Sequence, residues 1–176
     1  MPDTKPQIQP KAQVILAPLR PTITGKVAVF LSGPTTGTAA AAAAGTDWRQ
    51  AVIHAVSHLP VTVINPFRAD WDGTWREDPS FAPFREQTEW ELDMQERADL
   101  VVVYFGPETD APVSLLELGL CARSGKPVVV ACHPGYRKRG YVQVVCRRYG
   151  LEYIDGRDEL IGRAVEMIEK LLRDGS

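Results

Sequence analysis

The stretch DLVVVYFGPETDAPVSLLELGLCARSGKPVVVACH, residues 99–133, decides the fold. It opens with DLVVVYF (99–105), a continuously apolar and β-branched run, as a strand buried on both faces requires. PVSLLELGLCARSG (112–125) follows, rich in helix-forming Leu and Ala and ended by Gly125, a residue suited to a helix C-terminus. PVVVACH (127–133) is a second apolar run. Two all-apolar strands joined through a helix predict a parallel pair with a right-handed crossover.

The same alternation extends outward in both directions. Upstream, KVAVFLS (26–32) and VTVINP (61–66) read as strands. Between them TDWRQAVIHAVSHL (46–59) places Trp48, Val52, Ala55, Val56 and Leu59 on one helical face, with Thr46 as the expected N-cap. PFREQTEWELDMQERA (83–98) is a polar helix, and residues 67–81, rich in Asp, Gly, Trp and Pro, form a long loop before it. Downstream, YVQVVCRRYG (141–150) reads as a helix, LEYI (151–154) as a short strand and DELIGRAVEMIEKLLRD (158–174) as an amphipathic terminal helix. The predicted architecture is α/β: a Rossmann-like (flavodoxin-like) three-layer α/β/α fold around a parallel sheet of about five strands. Residues 1–24 are expected to be an N-terminal tail, partly disordered, with QVILAPLR (13–20) as an apolar patch lying on the domain or on a partner subunit. Residues 25–176 form the domain. The Thr/Ala/Gly segment TTGTAAAAAAG (35–45) reads equally as a loop or a short helical insert.

Length and composition narrow the function. A chain of 176 residues fits one domain. Twenty Lys+Arg against 22 Asp+Glu, net charge −2, give no basic footprint for a nucleic-acid polymer. No apolar run approaches the roughly 20 residues that span a bilayer, and MPDTKPQIQPK lacks the apolar core of a secretory signal. No membrane partner is therefore expected, and a cytoplasmic location is. Cys121, Cys132 and Cys146 are odd in number and form no CxxC pair, which disfavours a disulfide framework and a structural zinc site. His54 and His58 sit four apart on a helix without a third ligand, so a solvated face is the better account, and no metal or other cofactor is expected. There is no GxxxxGK[ST], no GxGxxG and no GxSxG.

In such a fold, ligands bind beyond the carboxyl ends of the strands. Two acidic residues fall there. Glu117 is the one charge in SLLELGLCA, a helix apolar nearly all round and so expected to be buried. A Glu is rarely buried without a partner or a task. Near the start of its helix, the dipole would keep it ionised while poorly hydrated, the state suited to attack on an electrophilic carbon. On the preceding helix Gln87, Glu91, Met94 and Ala98 share one face by their spacing of four, three and four. Met94 and Ala98 would touch the sheet, which points Glu91 and Gln87 inward at the same edge as Glu117; Asp93 lies off this stripe. Two convergent carboxylates are the usual equipment for cleaving a glycosidic bond, one at the anomeric carbon and the other managing the leaving group's proton. The plain alternatives are a Glu117 escaping to solvent and a Glu91 on a solvated face. The loop Asn65 to Trp75 carries aromatics, Arg68, Asp70 and Asp72, which suit stacking on a planar base and reading its edge, although a loop Trp can also be a hydrophobic plug. Arg137-Lys138-Arg139 reads as a solvated turn, and Cys132-His133 as the end of a strand with a buried Cys.

These pieces, taken in order, resemble the nucleoside 2-deoxyribosyltransferase family in its transferase-like branch. The likeness runs from Val29-Phe30-Leu31-Ser32-Gly33 through Asp47-Trp48-Arg49, Asn65-Pro66, Trp71-Asp72, Gln87, Trp90-Glu91 and Ala98-Asp99 to Leu116-Glu117-Leu118-Gly119. The resemblance implies Glu117 as the nucleophile of a covalent glycosyl-enzyme intermediate. It implies Glu91 as the acid at the leaving base or a sugar contact. Ser32 and Gly33 would line the sugar site, the loop carrying Asn65, Asp70, Trp71 and Asp72 would hold the base together with Gln87, and Asp110 and Ser114 would orient the base or meet a 5′-phosphate. The tyrosine with which some members hold the nucleophile is replaced by Phe30. The implied partner is a small-molecule nucleoside or nucleotide, and the implied assembly a homo-oligomer, dimer or larger. Three other readings stand beside transfer: a nucleoside 5′-monophosphate N-glycosidase, an NAD glycohydrolase, and a non-catalytic nucleotide-binding module.

Overall fold

The computed structural model describes residues 11–34 and 47–175; the 35–45 insert and residues 1–10 of the N-terminal tail lie outside the described residues. The strands are β1 (Gln13–Leu16), β2 (Val27–Ser32), β3 (Val61–Asn65), β4 (Leu100–Phe105), β5 (Val128–Cys132) and β6 (Glu152–Asp155). The described helices are α1 (Trp48–Ala55), α2 (Ala82–Arg97), α3 (Pro112–Ser124), α4 (Arg139–Tyr149) and α5 (Arg157–Asp174). All strand pairs are parallel, in the order β1-β3-β2-β4-β5-β6.

Although both faces of the central strands are apolar, the period of two still divides them into two cores. Ala28, Phe30, Val101, Val103, Phe105, Val128 and Val130 pack under α2, α3 and α4 with Trp90, Met94, Leu118 and Cys146. Val27, Val29, Leu31, Leu100, Val102 and Val129 pack under α1 and α5 with Trp48, Val52, Leu160 and Ile168. The result is the expected three-layer α/β/α fold.

The sheet has six strands where about five were expected. The sixth is β1, which pairs with β3 from Gln13↔Thr62 to Leu16↔Asn65. Its pattern gave little warning: four residues at the sheet edge, with Ile15 buried and Val14 and Leu16 exposed. What secures it is a set of distant bonds. The Gln13 side chain accepts from Thr62 Oγ1 at 2.7 Å and from Thr24 N at 3.0 Å. The buried Trp90 indole of α2 donates to Leu19 O at 2.7 Å, just beyond the strand.

Two local expectations need correcting. The N-cap of α1 is Asp47, whose carboxylate accepts from Arg49 N at 3.0 Å, in place of Thr46. Helix α3 is not buried all round. Ser114, Glu117, Leu118, Cys121 and Ala122 face inward, while Val113, Leu116 and Leu120 face out, Leu116 with 65% exposure. The Leu-rich composition conceals which leucines the helical period turns outward. At its end, Gly125 adopts φ 76°, a left-handed conformation that closes the helix at little cost for glycine. Next to it Lys126 Nζ donates to Gln95 O and Ala98 O, both at 2.9 Å, and to Glu96 O, placing a cation on the carbonyl end of α2.

The topology creates one crevice. From β2 the chain leaves through α1 toward β3 on one face, and from β4 it leaves through α3 toward β5 on the other. The adjacent carboxyl ends of β2 and β4 are therefore the switch point at which ligands bind in such sheets.

Candidate active site

Ser32 ends β2 and is fully buried. Its Oγ donates to Glu117 Oε2 at 2.6 Å, a length typical of a hydroxyl on a carboxylate. Glu117 comes from the second turn of α3 and is 8% exposed. It lies past the first turn, where the dipole acts most strongly, so the expectation of a firmly ionised group is corrected. Burial dominates and pushes its pKa up to about 7. The Ser32 hydrogen bond and the Arg49 charge oppose that rise, and the Glu91 charge adds to it.

Glu91 is half-buried on α2. Its carboxyl is also held above the ordinary range by burial, against the Gln87 hydrogen bond and the Arg49 charge. Gln87 Nε2 donates to Glu91 Oε1 at 2.9 Å and to Pro66 O at 3.0 Å. These two acceptors fix the amide orientation, because flipping it would set Oε1 against both. Gln87 is 4% exposed and its Oε1 has no hydrogen-bond partner among the described residues. The inward stripe of α2 is thus as the spacing foretold: Met94 and Ala98 in the core, Gln87 and Glu91 toward the crevice. Asp93 points away, paired with Arg20 at 2.6 Å.

Arg49 is the residue that sequence reasoning missed in this arrangement. It is 1% exposed in the first turn of α1. Its guanidinium donates to Gly33 O at 2.5 Å and Pro34 O at 3.0 Å, holding the chain just past Ser32. It lies 4.8 Å from the Trp48 ring centroid. Burial lowers its pKa to about 10, while Asp47, Glu117 and Glu91 act in the opposite sense. A cue was present: a cation in a first helical turn opposes the macrodipole and calls for another partner.

The other candidates divide. Ser114 is buried one turn before Glu117 on the same face of α3. Gly33 contributes its carbonyl to Arg49. Trp71 is 44% exposed at the loop and tilts against Trp75, ring centroids 5.1 Å apart. Four are occupied with local structure. Asn65 Oδ1 accepts from Phe67 N at 3.1 Å, Asp72 caps the turn at Thr74, Asp70 pairs with Arg68 at 2.9 Å and Asp110 is bound by Arg137. Among the described residues no group of His, Cys, Asp and Glu is arranged to hold a metal ion. None of their helices is long and apolar enough to cross a membrane.

Comparison with known proteins bears on the fold and the family. A conserved protein from Enterococcus faecalis V583 shares the fold with a TM-score of 0.51 at 11% identity, over 77% of this chain and 95% of that one. No curated protein matches. A family model described as nucleoside 2-deoxyribosyltransferase like matches residues 26–136. That span is more than half of the chain and carries Ser32, Arg49, Gln87, Glu91 and Glu117; the chain belongs to the nucleoside 2-deoxyribosyltransferase-like family.

Proposed function

We propose that the protein cleaves or transfers at the N-glycosidic bond of a nucleoside or nucleotide, through a carboxylate nucleophile and a covalent glycosyl-enzyme intermediate. The observation that carries this reading is the buried Glu117 carboxylate held by Ser32, with Glu91 of the preceding helix, held by Gln87, acting on it through its charge. The Glu91 charge adds to the rise of the Glu117 carboxyl. Glycosyl transfer needs one group ionised as nucleophile and the other protonated as acid, and a Glu117 that titrates at about 7 is partly ionised near neutral pH.

In the forward step a Glu117 carboxylate oxygen attacks the anomeric carbon. The bond from that carbon to the base nitrogen breaks, its electron pair leaves with the base, and Glu91 supplies the proton. In the second step an acceptor base or water attacks the same carbon, gives its proton to Glu91 and releases Glu117. Ser32 keeps one Glu117 oxygen in place by donating to it, the task that a tyrosine performs in some members of the family and that Phe30, deep in the core, lacks the hydroxyl for. The unpartnered Gln87 Oε1 offers an acceptor to a hydroxyl or N–H of the substrate, and exposed Trp71 offers a face to the base.

The test is incubation with deoxynucleosides and a free acceptor base, with separation of the products. A new nucleoside indicates transfer, and free base alone indicates hydrolysis. A requirement for a 5′-phosphate selects the monophosphate N-glycosidase, and nicotinamide release from NAD selects the glycohydrolase. Glu117→Gln abolishes turnover on this reading; equal turnover by wild type and variant refutes the nucleophile. Nucleotide binding without turnover favours the non-catalytic module.

A further inference from the structure

We propose that Arg49 is a positioning residue for the carboxylate pair: it clamps the two carbonyls beyond Ser32 and supplies, from the opposite helical layer, the positive charge that both glutamates share. The inference rests on the reading that Glu91 and Glu117 are the working pair, but its test does not.

Three observations lead to it. First, a buried guanidinium ordinarily pairs with a carboxylate, yet the hydrogen bonds of Arg49 go to neutral carbonyls, Gly33 O and Pro34 O. Its Nε, also buried, has no hydrogen-bond partner among the described residues. Among the described residues no carboxylate pairs with it directly, and its charge acts on Asp47, Glu117 and Glu91 through space. Second, the clamp falls on the two residues that follow Ser32, whose hydroxyl holds Glu117. The chain of contacts runs from guanidinium to loop carbonyls, along one residue of backbone, and from Ser32 Oγ to the Glu117 carboxylate. Third, Arg49 and the glutamates come from different layers. Helix α1 packs with α5 on one face of the sheet, and α2 and α3 lie on the other. Arg49 therefore acts on the pair from the end of β2, beside the loop carbonyls that it holds.

The groups facing Glu117 are Ser32 from β2, Glu91 from α2, Arg49 from α1 and Cys121 on its own helix. Facing Arg49 are Asp47, Glu117 and Glu91. Arg49 is the one cation that acts on both glutamates among the described residues. Its charge favours the ionised form of each. Removing it makes the second carboxylate harder to ionise, while Ser32 loses its anchor.

The experiment is carboxyl carbon NMR on protein labelled at Glu, with the two signals assigned through Glu91→Gln and Glu117→Gln. Titrations compare wild type with Arg49→Met, Arg49→Gln and Arg49→Lys. The two neutral variants are expected to raise the Glu117 midpoint by about one pH unit, the low end for a nearby opposite charge, and to move Glu91 upward as well. Arg49→Lys, which keeps the charge but not the two-pronged clamp, restores most of the shift. Midpoints unmoved in both neutral variants overturn the proposal, as does failure of all three variants to fold, which makes Arg49 scaffold. Because no substrate is used, an absence of turnover in the product assay counts against the proposed activity and leaves this titration to be read alone.

Discussion

Burying Glu117 has an energetic consequence that can be measured without any substrate. In the unfolded chain its carboxyl titrates at the ordinary 4.5, and in the folded protein at about 7. Between those values the folded state keeps a proton that the unfolded state has released. Folding then takes up a proton, and stability falls as pH rises. The contribution is full below 4.5 and lost once pH has climbed through about 7, the reverse of a salt-bridged carboxylate. A rise of about 2.5 units at 1.36 kcal/mol each is worth about 3 kcal/mol. For a chain of this size that corresponds to roughly 6–12 °C in Tm.

The perturbation that isolates this effect is Glu117→Gln. Glutamine has nearly the same shape, and its carbonyl oxygen can accept from Ser32 Oγ, but it does not titrate. Its amide nitrogen adds an offset of about 1–3 kcal/mol if it finds no acceptor, and that offset does not depend on pH. Glu91 is raised too, but it is present in both proteins and its contribution largely cancels. Thermal unfolding of wild type and variant from pH 5 to pH 8 is therefore expected to give curves that separate. Wild type loses about 2.5 kcal/mol relative to the variant across that interval, the remainder of the effect lying below pH 5. Parallel curves would mean that Glu117 reaches water and ionises freely, and the case for a poorly hydrated nucleophile would be refuted.

Four further substitutions test the surroundings. Ser32→Ala removes the hydroxyl donor of the Glu117 carboxylate, so the acidic limb of the kcat/KM profile moves to higher pH; an unchanged profile excludes the serine as its support. Trp71→Ala leaves Tm nearly unchanged because the side chain is exposed. If Trp71 stacks on the base, at about 1–3 kcal/mol, KM in steady-state assays rises roughly 5- to 150-fold. Gly33→Ala places a Cβ 2.7 Å from Tyr104 O and 3.1 Å from the Trp48 ring. Urea denaturation is expected to show a loss of about 1–3 kcal/mol, and no loss would contradict the close approach of α1 to the β2 loop. Asp93→Asn breaks only an outward pair with Arg20 and retains full turnover; loss of activity there would put the working acid of α2 on the wrong face.

The layered sheet was legible because β2 to β5 are apolar on both faces, a pattern that only a sheet covered on two sides requires. Strand β1 escaped because an edge strand of four residues has no period to show, and its security comes from Thr62, Thr24 and α2. The outward leucines of α3 escaped because composition suggested burial where direction decides. At the site, Glu117 stood out as one acid among leucines, and the stripe Gln87–Glu91–Met94–Ala98 carried its own orientation. Asn65, Asp70, Asp72 and Asp110 looked equally chemical in the sequence. Their acceptors are already used by Phe67, Arg68, Thr74 and Arg137. A sequence displays which groups a segment owns, and only the folded chain displays which are spent.

Arg49 marks the opposite limit. Its hydrogen-bond acceptors and the two glutamates lie 15 or more positions away, on the loop after β2 and on two helices of the other layer. No local pattern can state such a meeting, although its unfavourable place in a first helical turn signals that one exists. The topology supplies the reason. At the switch point α1 and α3 leave neighbouring strands in opposite directions, opening a crevice into which one layer brings a cation and the other two acids. Two carboxyls with a full charge each would repel in a poorly hydrated space. A fully neutral pair would supply a proton but no nucleophile. One shared cation, bonded to carbonyls and therefore still charged toward the crevice, lets one acid ionise while the other keeps its proton.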